Sequence, residues 1–508
     1  MHAPTGNAAT LPPQQSGTED RAAQQPPAGG RAEATWWIWA MAGALFLAYA
    51  AVSLRIHEHL LSHSFDLGIF VQVVRSYAEG HLPVSEVKGP DFPVLGDHFS
   101  PVLAVLAPLY WLWPSVKLLL VAQAALIAAG VLPLAFWARR TLGPAAAVVI
   151  GVAYGVSWGI ASGVAYDFHE WAFAVPLLAF SLTALGNGRL RAAAYWALPL
   201  VLVKEDLGLT VAVIGLVIAW RGGRGGRRLG LVTAAAGLAA SALALLVLAS
   251  FHPGGFDGYY ASHHPGGAEG GADGGAGGGL LDLLHQGTLG LITPQEKVTT
   301  LLLMLAPTLF LALRSPLLLI ALPTVLWRLA SDYPAHWGTA YHYALPIMPI
   351  VFAAFVDALT RRGAHGRSLY RYLAGSAAVT LLLLPHFPLW QLFQPQVWQS
   401  DPRLAVARRV MAEIPDGATV QASNNLGPHL VDRTSVSVYG WGDSRPDPEW
   451  IMVDTKVAPA HRWPLSVAQE LMALDTARLR GYLTAAERDG FVLLRRTEGG
   501  APVSAPRP

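Results

Sequence analysis

One carboxylate, Asp66, stands near the start of SFDLGIFVQVVRSYAEG (64–80), about a dozen residues past an apolar segment at 36–54. Leu67, Phe70, Val71 and Val74 share one helical face, with Gln72, Arg75 and Glu79 opposite. This is the pattern of an amphipathic helix lying flat at a membrane surface. An acid at the mouth of a bilayer can act on a substrate carried in lipid. Aspartate is also a good helix N-cap, and both readings stand on local sequence.

Two further motifs bring carboxylates and imidazoles together. YDFHE (166–170) supplies Asp167, His169 and Glu170, and GDHFSP (96–101) supplies Asp97 and His98. Such groups can bind a divalent metal, position sugar hydroxyls or hold Asp66 in place. Their spacing matches no established metal motif, so the cofactor stays open between a divalent metal and none. Lys204, Glu205 and Asp206 interrupt an otherwise apolar stretch, 197–220. At mid-bilayer each charge would cost about 2.5–3.5 kcal/mol, so three in a row cannot face lipid. A hairpin of two half-depth helices, 192–203 and 207–220, would present them to a water-filled cavity. Lys204 there can bind a lipid phosphate as a point charge, or pair with Glu205 or Asp206.

The elements that must position these groups are membrane spans. The chain has 508 residues, 53% hydrophobic and 13% charged, about half the charge of an ordinary soluble protein. It reads as an α-helical polytopic membrane protein, with membrane lipids as its surroundings. A net charge of +2 excludes nucleic acid as a partner, and the absence of cysteine excludes disulfides and thiolate chemistry. Residues 1–34 read as a disordered tail. The segment 36–54 has an AYA (48–50) cleavage-like site but lacks a basic leader, so it reads as an uncleaved span. Arginine clusters at 139–140, 189–191, 221–228, 314 and 361–371 alternate with apolar segments. The positive-inside rule then gives about eleven segments between 35 and 390, with the amino terminus cytoplasmic and residues 391–508 extracytoplasmic. The spans are 36–54, 115–138, 145–163, 171–186, the broken pair, 229–250, 296–313, 315–330, 344–360 and 372–390. The segment 99–114 is short for a span and reads as a re-entrant or interfacial helix. The outer loops are then 55–114 and 251–295, and all histidines except His2 and His365 fall outside. Glycine-rich 254–279 reads as a linker, preceded by HPGGF (252–256) and YYASHH (259–264) as part of a lid. Residues 391–508 read as a small α/β domain. Its strands are 419–423, 435–441, 450–455 and 490–496, and its helices lie around 402–413 and 465–482. Asn424, Asn425, Asp443 and Asp454 at the strand ends are ordinary loop residues or a ligand edge.

FDLGIF (65–70), GDHFSP, YDFHE, VKED (203–206), YHYALPIMP (341–349) and the closing α/β segment resemble the bacterial membrane proteins catalogued as domain of unknown function 2079. The layout is in turn similar to the GT-C superfamily of membrane glycosyltransferases. That resemblance implies a GT-C-like fold and transfer of a sugar from a polyprenyl-phosphate or -diphosphate donor to an acceptor outside the plasma membrane. On it, Asp66 matches the loop acid that takes the acceptor hydroxyl's proton. Lys204, with Arg75, matches the donor-phosphate contact. Asp97, His98, Asp167, His169, Glu170 and His342 would position substrate. The rival expectations are a lipid-linked sugar transporter or flippase, and a non-enzymatic envelope binding protein. Sugar, acceptor and oligomeric state stay open at this level.

Overall fold

The computed structural model describes residues 35–255, 288–331, 333–458 and 461–497. The expected tail 1–34, YYASHH and all but two residues of the glycine-rich stretch lie outside the described residues. Among the described residues four helices are long and apolar enough to cross a membrane: Trp36–Glu58 (α1), Val116–Leu142, Gly223–Phe251 and His342–Arg361. The pair Pro144–Gly155 and Trp158–Ala165, bent by 44° at its break, is apolar and long enough to make a fifth if it is one span. The remaining apolar elements are shorter helices, including Trp171–Gly186, Leu190–Leu202 and Leu207–Arg221. The expected span 296–313 is broken. Its helix stops at Leu305, Pro307 follows, and Leu309 and Phe310 turn left-handed, because proline cannot continue the hydrogen-bond ladder.

Three of these helices point the same way. Trp171–Gly186 starts beside Glu170 and runs toward Arg189. Leu207–Arg221 starts beside Lys204 to Asp206 and ends at Arg221. Ile347–Arg361 starts near His342 and ends at Arg361. At about 1.5 Å per residue each carries its polar start roughly 22–24 Å from the arginines at or just past its end. Ile347–Leu359 is buried along its whole length, as expected of a helix apolar on all faces but for Asp357, which accepts from Ser315 and lies 3.8 Å from Arg221. Leu207–Arg221 packs against Gly223–Phe251 backbone to backbone. A Cβ on Gly215 would lie 2.6 Å from the Gly230 carbonyl, so the small residues set that close approach.

One expectation about the loop 55–114 needs revision. The helix Ile69–Ala78 (α2) does not lie free on a membrane, because its apolar face, with Phe70, Val71 and Val74, is buried in protein, and so is Gln72 of the polar face. Gln72 Nε2 donates to the Val436 carbonyl at 2.9 Å, and its Oε1 accepts from Ser85 Oγ at 2.7 Å. The short helix Pro101–Leu112 is too short to span. It exposes Val105, Leu109, Trp111 and Leu112, which suits shallow immersion.

Beyond the helices lies a five-stranded sheet. Its order is Ser435–Val438, Thr419–Ala422, Trp450–Asp454, Phe491–Arg496, Tyr482–Arg488. The first three strands are parallel and the last two antiparallel to their neighbours. The strand Tyr482–Arg488 was not expected, and the expected helix 465–482 runs onto its first residue. The helix spans only Val467–Leu479, and Gly481 at φ +93° turns the chain into the strand. Leu474 and Ala477 of that helix pack on Ile451, Val453, Val492 and Leu494.

The parallel strands aim their carboxyl ends at the Asp66 turn. The Ser64 amide donates to the Asn424 carbonyl at 2.7 Å, and the Phe65 amide donates to Asn424 Oδ1 at 3.1 Å. Arg445 grips Glu86 with two hydrogen bonds of 2.8 Å, and Asp432 Oδ1 accepts from the Val116 amide at 3.0 Å. A Cβ on Gly427 would collide with the Ser64 side chain, so glycine lets the sheet seat there. Asn424 therefore holds the loop.

Candidate functional site

Asp66 lies in a single π-helical turn, Ser64–Gly68, whose N-cap is His63. Its carboxylate caps no helix. Oδ2 accepts from the Tyr166 hydroxyl at 3.2 Å, and Oδ1 meets His169 Nε2 at 3.3 Å. The side chain is partly exposed. Burial pushes its carboxyl up, but the His169 bond and charge, the nearby His63 and the Tyr166 hydroxyl outweigh that and hold it below the ordinary carboxylate value.

The YDFHE segment is shaped by a glutamine within an apolar helix. Gln123 is fully buried in the helix Val116–Ala129. Its Nε2 donates to the carbonyls of Gly163 and Asp167, and its Oε1 accepts from the His169 amide at 2.9 Å. Asp167 adopts φ +38°, a conformation aspartate tolerates better than most residues. Its side chain then faces His63, whose backbone amide and Nδ1 both bond Oδ2, at 2.9 and 2.8 Å.

His169 also stacks on His342 with ring centroids 3.4 Å apart, and His342 packs against Tyr343 at 4.2 Å. Glu170 Oε1 accepts from Lys204 Nζ at 3.0 Å, and Glu205 lies 3.6 Å from the same ammonium. The tip at 203–206 joins two short helices, and Trp327 Nε1 donates to Asp206 Oδ2 at 2.9 Å. The GDHFSP loop reaches this tip: the Phe99 amide donates to Glu205 Oε2 at 3.2 Å. Asp97 pairs with Lys88 at 3.2 Å and lies 3.5 Å from His98. Burial, then the Lys204 charge, push the His98 imidazole below its ordinary value despite Asp97, Glu205 and Glu170 nearby.

Direct contacts thus link Asp66, His169 and His342 on one side, Asp167 with His63 beside them and Glu170 with Lys204 on the other; the YDFHE backbone joins the groups, with His98 and Asp97 at the Lys204 edge. Arg75 is not brought in. It pairs with Glu79 at 2.9 Å on the exposed face of α2, so the structure gives it no place beside Lys204. His63, Tyr166 and Gln123 were missed by sequence reasoning. His63 stands three residues before Asp66, and Tyr166 opens YDFHE. A lone glutamine in an apolar helix was the signal for Gln123, since polar side chains within spans mark functional interiors.

A metal, if one binds, has a different set from the one the motifs suggested. Among the described residues, the oxygen or nitrogen atoms of His63, Asp66 and Asp167 come within 4.8 Å of one another. Glu170 is engaged by Lys204 and Asp97 by Lys88. In this arrangement His63 Nδ1 is committed to Asp167, so a cation would have to replace that bond.

Apolar helices with a small carboxyl-terminal sheet, converging on a half-buried acid, define a membrane protein of GT-C-like fold. Two structures of ArnT from Cupriavidus metallidurans have that fold. The structure bound to undecaprenyl phosphate matches with a TM-score of 0.53 and 14% identity, over 93% of this chain and 100% of that chain. The apo structure matches with a TM-score of 0.50 and 14% identity, over 91% and 98%. The family model described as "Predicted membrane protein (DUF2079)" matches residues 56–493, and the chain belongs to that family. A comparison with curated proteins gives no match.

Proposed function

We propose that this protein is a membrane glycosyltransferase of the plasma membrane, moving a sugar from a polyprenyl-phosphate-type donor to an extracytoplasmic acceptor. The observation that carries this is Asp66, a partly exposed carboxylate with each oxygen held by a separate donor, Tyr166 and His169. A lowered pKa makes Asp66 a weak base that stays ionised at neutral pH. It orients the acceptor hydroxyl and accepts its proton late, after the bond to the departing phosphate has largely broken. Its negative charge also faces the positive charge that develops on the sugar. Lys204 sits at the other end of the cluster as a cation for the leaving phosphate, kept in place by Glu170. The ArnT structure with undecaprenyl phosphate supports a lipid phosphate as the donor's charged group.

The test is sugar transfer in membranes supplied with lipid-linked donor. Asp66→Asn should lower the rate about 10²–10⁴-fold while donor binding survives. A folded Asp66→Asn protein transferring at the wild-type rate would end this reading and favour transport of the lipid-linked sugar.

A further inference from the structure

Arg328 sits on the helix Leu322–Ala330 and is only 2% exposed. Its Nε donates to the His336 carbonyl at 2.6 Å. Its two terminal nitrogens, Nη1 and Nη2, are buried and have no hydrogen-bond partner. No carboxylate pairs with it among the described residues. A buried cation left without a counter-charge is strongly unfavourable, and buried unsatisfied donors in a native fold call for a partner such as a water or an anion. Lys204 differs in this respect, since Glu170 and Glu205 stand beside it.

Arg328 also belongs to the neighbourhood of the site. Its guanidinium lies 5.9 Å from the centre of the Tyr343 ring. Tyr343 packs on His342, His342 stacks on His169, and His169 meets Asp66. The adjacent Trp327 is tied to Asp206 at the charged tip.

We propose that Nη1 and Nη2 of Arg328 bind a phosphate group of the lipid-linked substrate. A planar guanidinium with two free donors suits two oxygens of one phosphate. The identity of that phosphate rests on the donor assigned above; the anion site itself does not. The void beside Arg328, lined by Thr300, Met304, Val325 and Trp337, measures about 10 Å³, room for a water and not for phosphate. The anion therefore enters as the strap Tyr333–Tyr341, whose His336 carbonyl covers the guanidinium, shifts off it.

The test uses the purified full chain in nanodiscs, with three probes: a polyprenyl phosphate, the matching neutral polyprenol and inorganic phosphate. Wild type should prefer the polyprenyl phosphate over the polyprenol by at least about ten-fold. Arg328→Gln keeps an N–H for the His336 carbonyl and should lose that preference. Arg328→Lys, which keeps a charge but not the fork, should retain part of it. Polyprenyl phosphate should raise the melting temperature of wild type and not that of Arg328→Gln, which also reports whether the variant is folded. Arginine-dependent binding of inorganic phosphate would show that the group is read without its lipid, and dependence on the polyprenyl chain would assign it to a lipid headgroup. Arg328→Gln binding polyprenyl phosphate within about two-fold of wild type would overturn the proposal, as would a wild type blind to the phosphate. The two readings fail separately. Normal transfer by Asp66→Asn with phosphate preference lost in Arg328→Gln removes the enzyme and keeps the anion site. The opposite pair of results removes the anion site and keeps the enzyme.

Discussion

His63 and Asp167 turn a geometric contact into a pH dependence. Burial opposes protonation of the His63 imidazole, but the Asp167 bond and charge, with Asp66, outweigh it and raise its pKa above 6.5. A group whose folded pKa is raised adds stability that is complete below its unfolded pKa and is lost as pH rises through the folded one. The melting temperature should therefore decline as pH rises above about 6.5, and His63→Gln should flatten that decline. Parallel pH–stability curves for wild type and variant, in metal-free buffer, would remove the charged pair. Asp66 behaves in the opposite sense. Its depressed pKa adds stability above its unfolded value that disappears only as pH falls through the folded one, well into acid. Tyr166→Phe deletes one of the two donors to Asp66 and leaves His169. Loss of one hydrogen bond to a charged group is worth about 1.5–3 kcal/mol, so transfer should drop less than in Asp66→Asn. An unchanged rate would mean that Tyr166 does not hold the working carboxylate.

Between elements, the sheet and the loop 55–114 act on each other through a few polar anchors. Gln72→Leu would leave the Val436 carbonyl and the Ser85 hydroxyl without their present partner. Leaving such buried groups unmet costs about 1–3 kcal/mol, and should appear as a lower melting temperature with faster proteolysis after residue 400. Equal stability and cleavage would show that the sheet is held elsewhere. The sequence made much of this level legible. The periodicity of 69–78, the strands at 419–422, 435–438, 450–454 and 491–496, and the break at 203–206 all follow local patterns that tertiary contacts do not override. The reading of α2 as a membrane-facing helix failed because amphipathicity reports two faces without saying what covers either. Gln72 is matched by a strand more than 360 residues away. The same limit hid Gln123, whose partners in and before YDFHE lie 40 to 46 positions on. Tyr482–Arg488 was lost for a different reason: its alternation follows a helix so closely that only Gly481 separates them.

Across the whole molecule, helix direction decides on which side the chemistry falls. Three helices begin at the Asp66 cluster; two end at Arg221 and Arg361, and the third ends at Gly186, three residues before Arg189. Arginines that flank spans stay in the cytoplasm, which argues for the cluster on the opposite side. The sheet goes with it. Arg55, near the end of α1 and close in sequence to Asp66, donates to the Val397 carbonyl from Nε at 2.9 Å and from Nη2 at 2.7 Å. Chain entering the sheet at 397–402 thus passes the same end of α1 as the loop 59–66, and Asn424 returns to Ser64 and Phe65 from within the sheet. Alkaline phosphatase fused after Val397 should accordingly be active, because it folds only when exported. A fusion after Arg228, beside the basic start of Gly223–Phe251, should be inactive. If the Val397 fusion were silent and the Arg228 fusion active, the cluster would open to the cytoplasm. An extracytoplasmic acceptor would then be out of reach of Asp66, even with every contact around that carboxylate intact.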